Sequence, residues 1–241
     1  MNALLLSNSR GPDGAYLVHA LDAIRALTPS RAQTRTQALF VPFAGVTLSW
    51  DEYADTVAAA LAPADIALRS VHAFASDAEA QAAVAQAELI VVGGGNTFQL
   101  LAQCRARGLL QAIREAVQAG ARYLGWSAGA NLACPTICTT NDMPIVDPRG
   151  FDALGLVGFQ INPHYTNALP FGHQGETRDQ RIEEFLVANP RAKVIGLPEG
   201  DWIEVTPAGV TLRGLHDARY FEHGAAPVML APGAIMGGGK Q

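Results

Sequence analysis

One serine in this chain stands between two glycines, in Gly125-Trp126-Ser127-Ala128-Gly129. The form G-x-S-x-G is that of a nucleophile elbow, a sharp strand-to-helix turn that holds a hydroxyl clear of the backbone. The same turn aims the backbone N–H groups that follow at one point, which suits an oxyanion. The pattern is short, and two glycines also serve merely to make a tight turn. A serine needs a base before it can attack a carbonyl. The six histidines are His19, His72, His164, His173, His216 and His223. Only His164 follows an apolar run at the end expected to carry ligands, in Asn162-Pro163-His164-Tyr165. An imidazole in this role is oriented by a carboxylate. Asp142 and Glu199 compete for that place, and Glu199 is favoured because it too follows an apolar run and lies between Pro198 and Gly200. Gly93-Gly94-Gly95-Asn96 forms a glycine nest. It could cradle a phosphate, but it lacks both G-x-G-x-x-G and the Lys-Ser/Thr of a P-loop. Beside a nucleophilic serine, one of its N–H groups better completes an oxyanion hole.

These residues need a frame, and short apolar runs alternating with helical patterns supply one. Strands are expected at Ala3 to Leu6, Ala38 to Pro42, Ile66 to Val71, Leu89 to Val92, Tyr123 to Trp126, Leu156 to Ile161 and Lys193 to Leu197. Helices are expected at Tyr16 to Leu27, Glu52 to Leu61, Asp77 to Ala87, Thr97 to Cys104, Leu109 to Ala119 and from about Thr177 to Ala188. Trp202 to Thr206, Gly209 to Arg213 and Ala218 to His223 read as hairpin strands, an antiparallel extension of the parallel sheet. Thr136 to Asp152, rich in Pro, Thr, Asn and Asp, reads as a structured loop over one face. In an open parallel sheet ligands bind at the carboxyl ends of the strands. The nest, Ser127, His164 and Glu199 all fall there.

Composition sets the outer limits. The chain has 241 residues, 49% hydrophobic and 16% charged, enough for one large α/β domain spanning residues 1–241 with a frayed tail at about 237–241. It carries 17 Lys plus Arg against 22 Asp plus Glu, a net −5, and no basic cluster, so nucleic acid is not an expected partner. Three cysteines, Cys104, Cys134 and Cys138, suit neither a disulfide scaffold nor, without a histidine at ligand spacing, a zinc site. The first residues lack the basic segment of a signal peptide, and no apolar run is long enough to span a membrane, so a cytoplasmic protein is expected.

Several longer segments carry a name. Leu4-Leu5-Leu6-Ser7-Asn8-Ser9, Gly93 to Leu100, Ser127 to Ala130, Pro135 to Val146, Phe159 to Tyr165, Gly175 to Arg178 and Leu197 to Gly200 closely resemble the peptidase E family, the aspartyl dipeptidases, in that family's order. The resemblance covers the chain from Leu4 to about Phe221. It implies a mostly parallel central sheet flanked by helices, a flavodoxin-like sandwich similar to class I glutamine amidotransferases. It implies a cytoplasmic, metal-independent serine peptidase, monomer or homodimer, without cofactor, cleaving small dipeptides that begin with aspartate. Carried onto this sequence, Ser127 is the nucleophile, His164 the base and Glu199 the third member. Asp142 is a nearby support or substrate contact, and Gly95 and Ala128 give the oxyanion N–H groups. A substrate aspartate brings a carboxylate whose desolvation opposes binding unless a cation meets it. Arg178, in Gly175-Glu176-Thr177-Arg178, is the expected cation, with Thr177 and Asn96 as further contacts. A cysteine at the elbow would instead have indicated an amidotransferase or cysteine peptidase. The rival readings are other hydrolases, including cyanophycinase-like peptidases or esterases, and a non-enzymatic ligand-binding protein on the same fold.

Overall fold

A computed structural model of the chain describes residues 1–28, 35–169, 171–172 and 174–236. The expected frayed tail at 237–241 and His173 lie outside the described residues.

Among the described residues the strands form two sheets. The larger has eight strands in the order β12-β9-β8-β1-β5-β4-β2-β3. These are β1 (Ala3–Leu6), β2 (Thr36–Val41), β3 (Ile66–Ser70), β4 (Leu89–Val92), β5 (Arg122–Trp126), β8 (Trp202–Thr206), β9 (Gly209–Arg213) and β12 (Ile235–Met236). The five strands β1 to β5 pair in parallel. β8 joins β1 antiparallel, followed by β9 and β12, so the sheet is mixed. Counted from β2, the run β3-β2-β4-β5 reads second, first, third, fourth, the flavodoxin order. The smaller sheet has the order β11-β10-β7-β6, built from β6 (Gln160–Asn162), β7 (Lys193–Gly196), β10 (Ala218–Glu222) and β11 (Val228–Leu230).

Helices cover both faces of the larger sheet: α1 (Leu21–Leu27), α2 (Trp50–Leu61), α3 (Asp77–Ala85), α4 (Thr97–Ala106), α5 (Leu109–Gln118) and α6 (Ala128–Leu132), while α7 (Arg178–Ala188) lies on the smaller one. The period of two along each strand divides the core. In β4, Leu89 and Val91 face α1 and α2, while Ile90 and Val92 face α4 and α5. The second face also takes Ile161 of β6, Ile195 of β7 and Ala218 of β10. Ile182 and Leu186 of α7 pack with Val194 and Phe221 on the far side of the small sheet. The helix starts are capped as their sequences direct. Ser49 and Glu52 form a reciprocal capping box before α2, and Thr177 and Gln180 form another before α7.

Three expectations are corrected. The C-terminal strands do not make one extension: β8 and β9 join the large sheet, but β10 leaves to pair with β7. The fully buried Asp201 carboxylate holds the chain between β9 and β10, accepting from the N–H groups of Leu215 (2.9 Å) and His216 (3.1 Å). The expected strand from Leu156 begins only at Gln160. The preceding N–H groups are taken by the open C-terminal carbonyls of α6: Leu154 donates to Leu132 (3.0 Å) and Leu156 to Ala133 (2.9 Å). The helix expected from Tyr16 starts at Leu21, after a bridge between Arg10 and Tyr16, a left-handed Leu17 and one 3₁₀ turn.

Candidate active site

The order of strands reverses between β2 and β4, and the crevice at their carboxyl ends is where an open α/β sheet binds ligands. The loops after these strands are joined there, with the Asn96 N–H donating to the Ala44 carbonyl at 2.8 Å. A cleft of about 730 Å³ lies at this point, and Ser127, His164, Gly95, Asn96 and Asp142 all line it.

Ser127 follows β5 directly. Its backbone has φ 51° and ψ −113°, a conformation that L-residues rarely adopt. Its own N–H donates to the Leu6 carbonyl of β1 at 3.0 Å, and its carbonyl accepts from Asn131 N–H at 2.9 Å. The flanking glycines are demanded by close approach. A Cβ on Gly125 would lie 2.6 Å from the Gly129 carbonyl oxygen, and one on Gly129 would lie 2.1 Å from that of Val92. Such contacts over-determine the turn and hold it against about 1–3 kcal/mol of local strain.

His164 comes from the other sheet, just beyond β6. Its Nε2 lies 2.9 Å from Ser127 Oγ and its Nδ1 lies 2.7 Å from Glu199 Oε1. A carboxylate only accepts, so Nδ1 carries the proton donated to Glu199, and Nε2 offers its lone pair to the Ser127 hydroxyl. Glu199 stands after β7, with the neighbouring Gly200 N–H donating to Asn8 Oδ1 at 2.8 Å.

Asp142 lies elsewhere in the cleft. Its Oδ2 accepts from the Thr97 N–H at 2.7 Å, the Thr97 hydroxyl at 2.6 Å and the Thr140 hydroxyl at 3.0 Å. It therefore sits on the N-terminus of α4, where the helix dipole favours an anion. The two acids divide the work: Glu199 contacts the imidazole and Asp142 contacts the helix. Asn96 caps the same helix through Gln99 N–H (3.0 Å) and donates from Nδ2 to the Met143 carbonyl (2.9 Å).

In the glycine nest, the Gly93 N–H donates to Val41 and the Asn96 N–H to Ala44. The Gly94 and Gly95 N–H groups meet no protein acceptor among the described residues. The Ala128 N–H is the first of α6 and has no intrahelical partner. Gly94 lies against the elbow, since a Cβ there would be 3.1 Å from Ser127 Cβ.

Arg178 and Thr177 do not line this cleft. Arg178 lines an adjoining cavity of about 260 Å³ with Thr140, Asn162 and Arg181, and Asp142 borders both spaces. Burial first, and then Arg181, draws the Arg178 guanidinium below its usual value. The Thr177 hydroxyl is occupied as the cap of α7, accepting from Gln180 N–H at 3.3 Å.

Sequence reasoning passed over Tyr53 and Tyr16, which also line the cleft. The Tyr53 hydroxyl donates to the Gly94 carbonyl at 2.9 Å and pins the nest. Burial raises both phenols, so both stay protonated. Tyr53 sits on the apolar face of α2, where an aromatic reads as core; no signal in the sequence sets it apart. Cys104 and Cys134 are buried, and burial pushes both thiols up to about 12. Among the described residues no helix is long and apolar enough to cross a membrane.

A strained serine at a strand-to-helix elbow, an imidazole on its hydroxyl and a carboxylate on that imidazole define a serine hydrolase of the open α/β class. The family model for peptidase family S51 matches residues 3–213, and the chain belongs to that family, the peptidase E family. Peptidase E of Shigella flexneri serotype 5b is 55% identical over 233 residues, which cover 97% of this chain and 99% of that one. Peptidase E of Escherichia coli K12 matches with the same identity and coverage. The crystal structure of a putative peptidase E from Listeria monocytogenes has a TM-score of 0.65 at 24% identity, covering 89% of this chain and 98% of that one. A peptidase from an acI-B1 actinobacterium reaches 0.68 at 16%, covering 98% and 96%. These two likenesses speak for the fold.

Proposed function

We propose that this protein is a serine-type dipeptidase that hydrolyses Asp-X dipeptides through an aspartyl-enzyme. The observation that carries the chemistry is the continuous hydrogen-bonded line from Ser127 Oγ to His164 Nε2 (2.9 Å) and from Nδ1 to Glu199 Oε1 (2.7 Å). The aspartate preference rests on the family.

His164 takes the proton as Ser127 Oγ attacks the carbonyl of the N-terminal aspartate. The N–H groups of Gly95 and Ala128 stabilise the oxyanion. Glu199 holds the imidazolium that forms. His164 then protonates the leaving amine, and a water activated by the same imidazole releases aspartate. Asp142 fixes the start of α4 and with it the Gly95-Asn96 turn. Asn96 is a cleft-side contact for the substrate, and Thr177 supports α7. Arg178 is the cation assigned to the substrate's side-chain carboxylate, supported by the border that its cavity shares with the cleft at Asp142. The reaction needs no metal or cofactor, since nucleophile, base and oxyanion donors all belong to the chain. The reading carries with it a single peptidase domain on a class I glutamine-amidotransferase-like sandwich. It also carries a cytoplasmic enzyme of one or two chains that acts on small peptides.

The test is hydrolysis of an Asp-X dipeptide in the presence of a strong chelator, with a fluorophosphonate to label the nucleophile. Turnover should persist in chelator, the label should map to Ser127, and folded Ser127→Ala should retain below about a tenth of native kcat. Activity restored only by added metal, or a label on a different residue, overturns the mechanism.

A further inference from the structure

We infer that Ser7 is a positioning residue for the reaction: its buried hydroxyl holds His164 over Ser127 by joining the two sheets at the end of β1. The inference rests on the triad reading above, and concerns the segment Leu6-Ser7-Asn8, which no catalytic step uses.

The candidate nucleophile and its base belong to different sheets. Ser127 follows β5 of the large sheet, while His164 and Glu199 follow β6 and β7 of the small one. Alignment of Oγ with Nε2 therefore depends on a joint between sheets. The residues at the end of β1 make it. The Leu6 carbonyl accepts the Ser127 N–H at 3.0 Å. The next residue, Ser7, accepts the His164 N–H on its Oγ at 2.8 Å and donates that same hydroxyl to the Leu197 carbonyl at 2.8 Å. The Ser7 N–H donates to the Asp201 carbonyl at 3.0 Å, and Asn8 Oδ1 accepts the Gly200 N–H at 2.8 Å. Two consecutive residues of one strand end thus grip both sides of the reacting pair.

The Ser7 hydroxyl is well suited to this. It is fully buried, so no bulk water competes for its bonds. One hydroxyl can donate once and accept twice, and Ser7 does both at once, which fixes its rotation. His164 needs such a hold because its backbone lies at φ 54°, a left-handed conformation that a histidine does not keep by preference. An alanine at position 7 would leave the His164 N–H without its acceptor, and the imidazole would swing with the backbone. A bland alternative is that Ser7 only stabilises the sheet joint. The two differ in what they do to turnover.

The experiment compares Ser7→Ala, Ser7→Cys and Ser70→Ala with the native chain. Ser70 is also a buried hydroxyl at a strand end, 2.6 Å from His72 Nδ1 and 3.3 Å from the Phe40 carbonyl, but it belongs to the far edge strand β3. Three readouts are taken: steady-state kinetics on an Asp-X dipeptide, the rate of fluorophosphonate labelling of Ser127, and the thermal midpoint. In Ser7→Ala, kcat and the labelling rate should fall together by roughly 10- to 100-fold with KM within about threefold, the loss that a displacement near 1 Å produces. Ser7→Cys, close in size but a weak donor and acceptor, should fall in the same two readouts and serves if Ser7→Ala does not fold. Ser70→Ala should lose stability with turnover and labelling unchanged. The inference is overturned if folded Ser7→Ala, or Ser7→Cys in its place, keeps kcat and labelling within about twofold, or if Ser70→Ala loses as much. A native chain that is not labelled at Ser127 refutes the triad reading instead, so the two failures are distinct.

Discussion

Replacing Glu199 by glutamine removes one charge and little volume, and the structure sets the size of the effect. In the proposed mechanism, as Ser127 attacks, the imidazole of His164 gains a full positive charge one hydrogen bond, 2.7 Å, from Glu199 Oε1. With charge centres roughly 4 Å apart, the attraction is about 1 kcal/mol in bulk water and about 4 kcal/mol near a protein surface. The side chains are 40% and 64% exposed, for His164 and Glu199 respectively, so water screens much of it. About 2 kcal/mol is a fair middle value, which is roughly 30-fold in rate. Glutamine adds a second fault. Its amide can donate to Nδ1 and drive the proton to Nε2, which then no longer accepts from the Ser127 hydroxyl. The expected loss in kcat is therefore about 30- to 300-fold with KM little changed, below the ~10⁴ found for a fully buried orienting acid. The assay is release of aspartate from an Asp-X dipeptide, with circular dichroism to verify the fold. A folded Glu199→Gln with kcat within about threefold of native would refute the electrostatic argument and return the orienting role to open contest.

Arg178→Met should lower kcat/KM for Asp-X by roughly 10²-fold while affecting Asn-X and Ala-X far less, because only Asp-X leaves a carboxylate unpaired. Equal losses on all three dipeptides would remove Arg178 from substrate recognition. With Cys104 and Cys134 buried and their thiols pushed up to about 12, only the exposed Cys138 should react with a thiol reagent in the native state. Fast reaction of all three would contradict that burial. His19 has its folded-state pKa lowered from 6.5, first by burial. The unfolded chain then binds a proton that the folded chain resists, so stability present above pH 6.5 is lost as pH falls below it. His19→Leu should flatten the drop in thermal midpoint between about pH 7.5 and 5; an unchanged pH profile would show that His19 does not contribute to it.

Much of the frame was legible because its signals are local. β1 and β4 coincide with their apolar runs, Ala3 to Leu6 and Leu89 to Val92, since a strand buried on both faces has no polar residue to blur its ends. The position of Ser127 at a strand-to-helix turn followed from two glycines and a run of small residues. What the sequence could not carry was long-range pairing. Ala218 to Glu222 resembles Trp202 to Thr206 as an expected strand, and nothing in either states which sheet it joins; the chain between them is tied by a buried acid, Asp201. The strand does not start at Leu156 because the amides of Leu156 and Val157 are drawn to Ala133 at the end of α6, a partner 23 and 24 residues earlier in the chain. Of the two candidate acids, Glu199 is favoured by its place after an apolar run, between Pro198 and Gly200, and the contacts of Glu199 with His164 and of Asp142 with Thr97 agree with that choice. The cavity beside Arg178 was beyond sequence reading altogether, because its walls come from the Thr136–Asp152 loop, β6 and α7.

The backbone at Ser127 has a consequence for how this chain can change over generations. At φ 51° and ψ −113° a glycine would sit with less strain than any residue bearing a Cβ. Replacing the serine by glycine should therefore make the fold slightly more stable while abolishing the nucleophile. If Ser127 is the nucleophile proposed above, stability and turnover pull this one position in opposite directions. A copy of the gene freed from that demand would drift toward glycine at position 127 with its fold undamaged. Relatives that keep the sandwich but have lost the reaction should reveal themselves first at the elbow, well before the core decays.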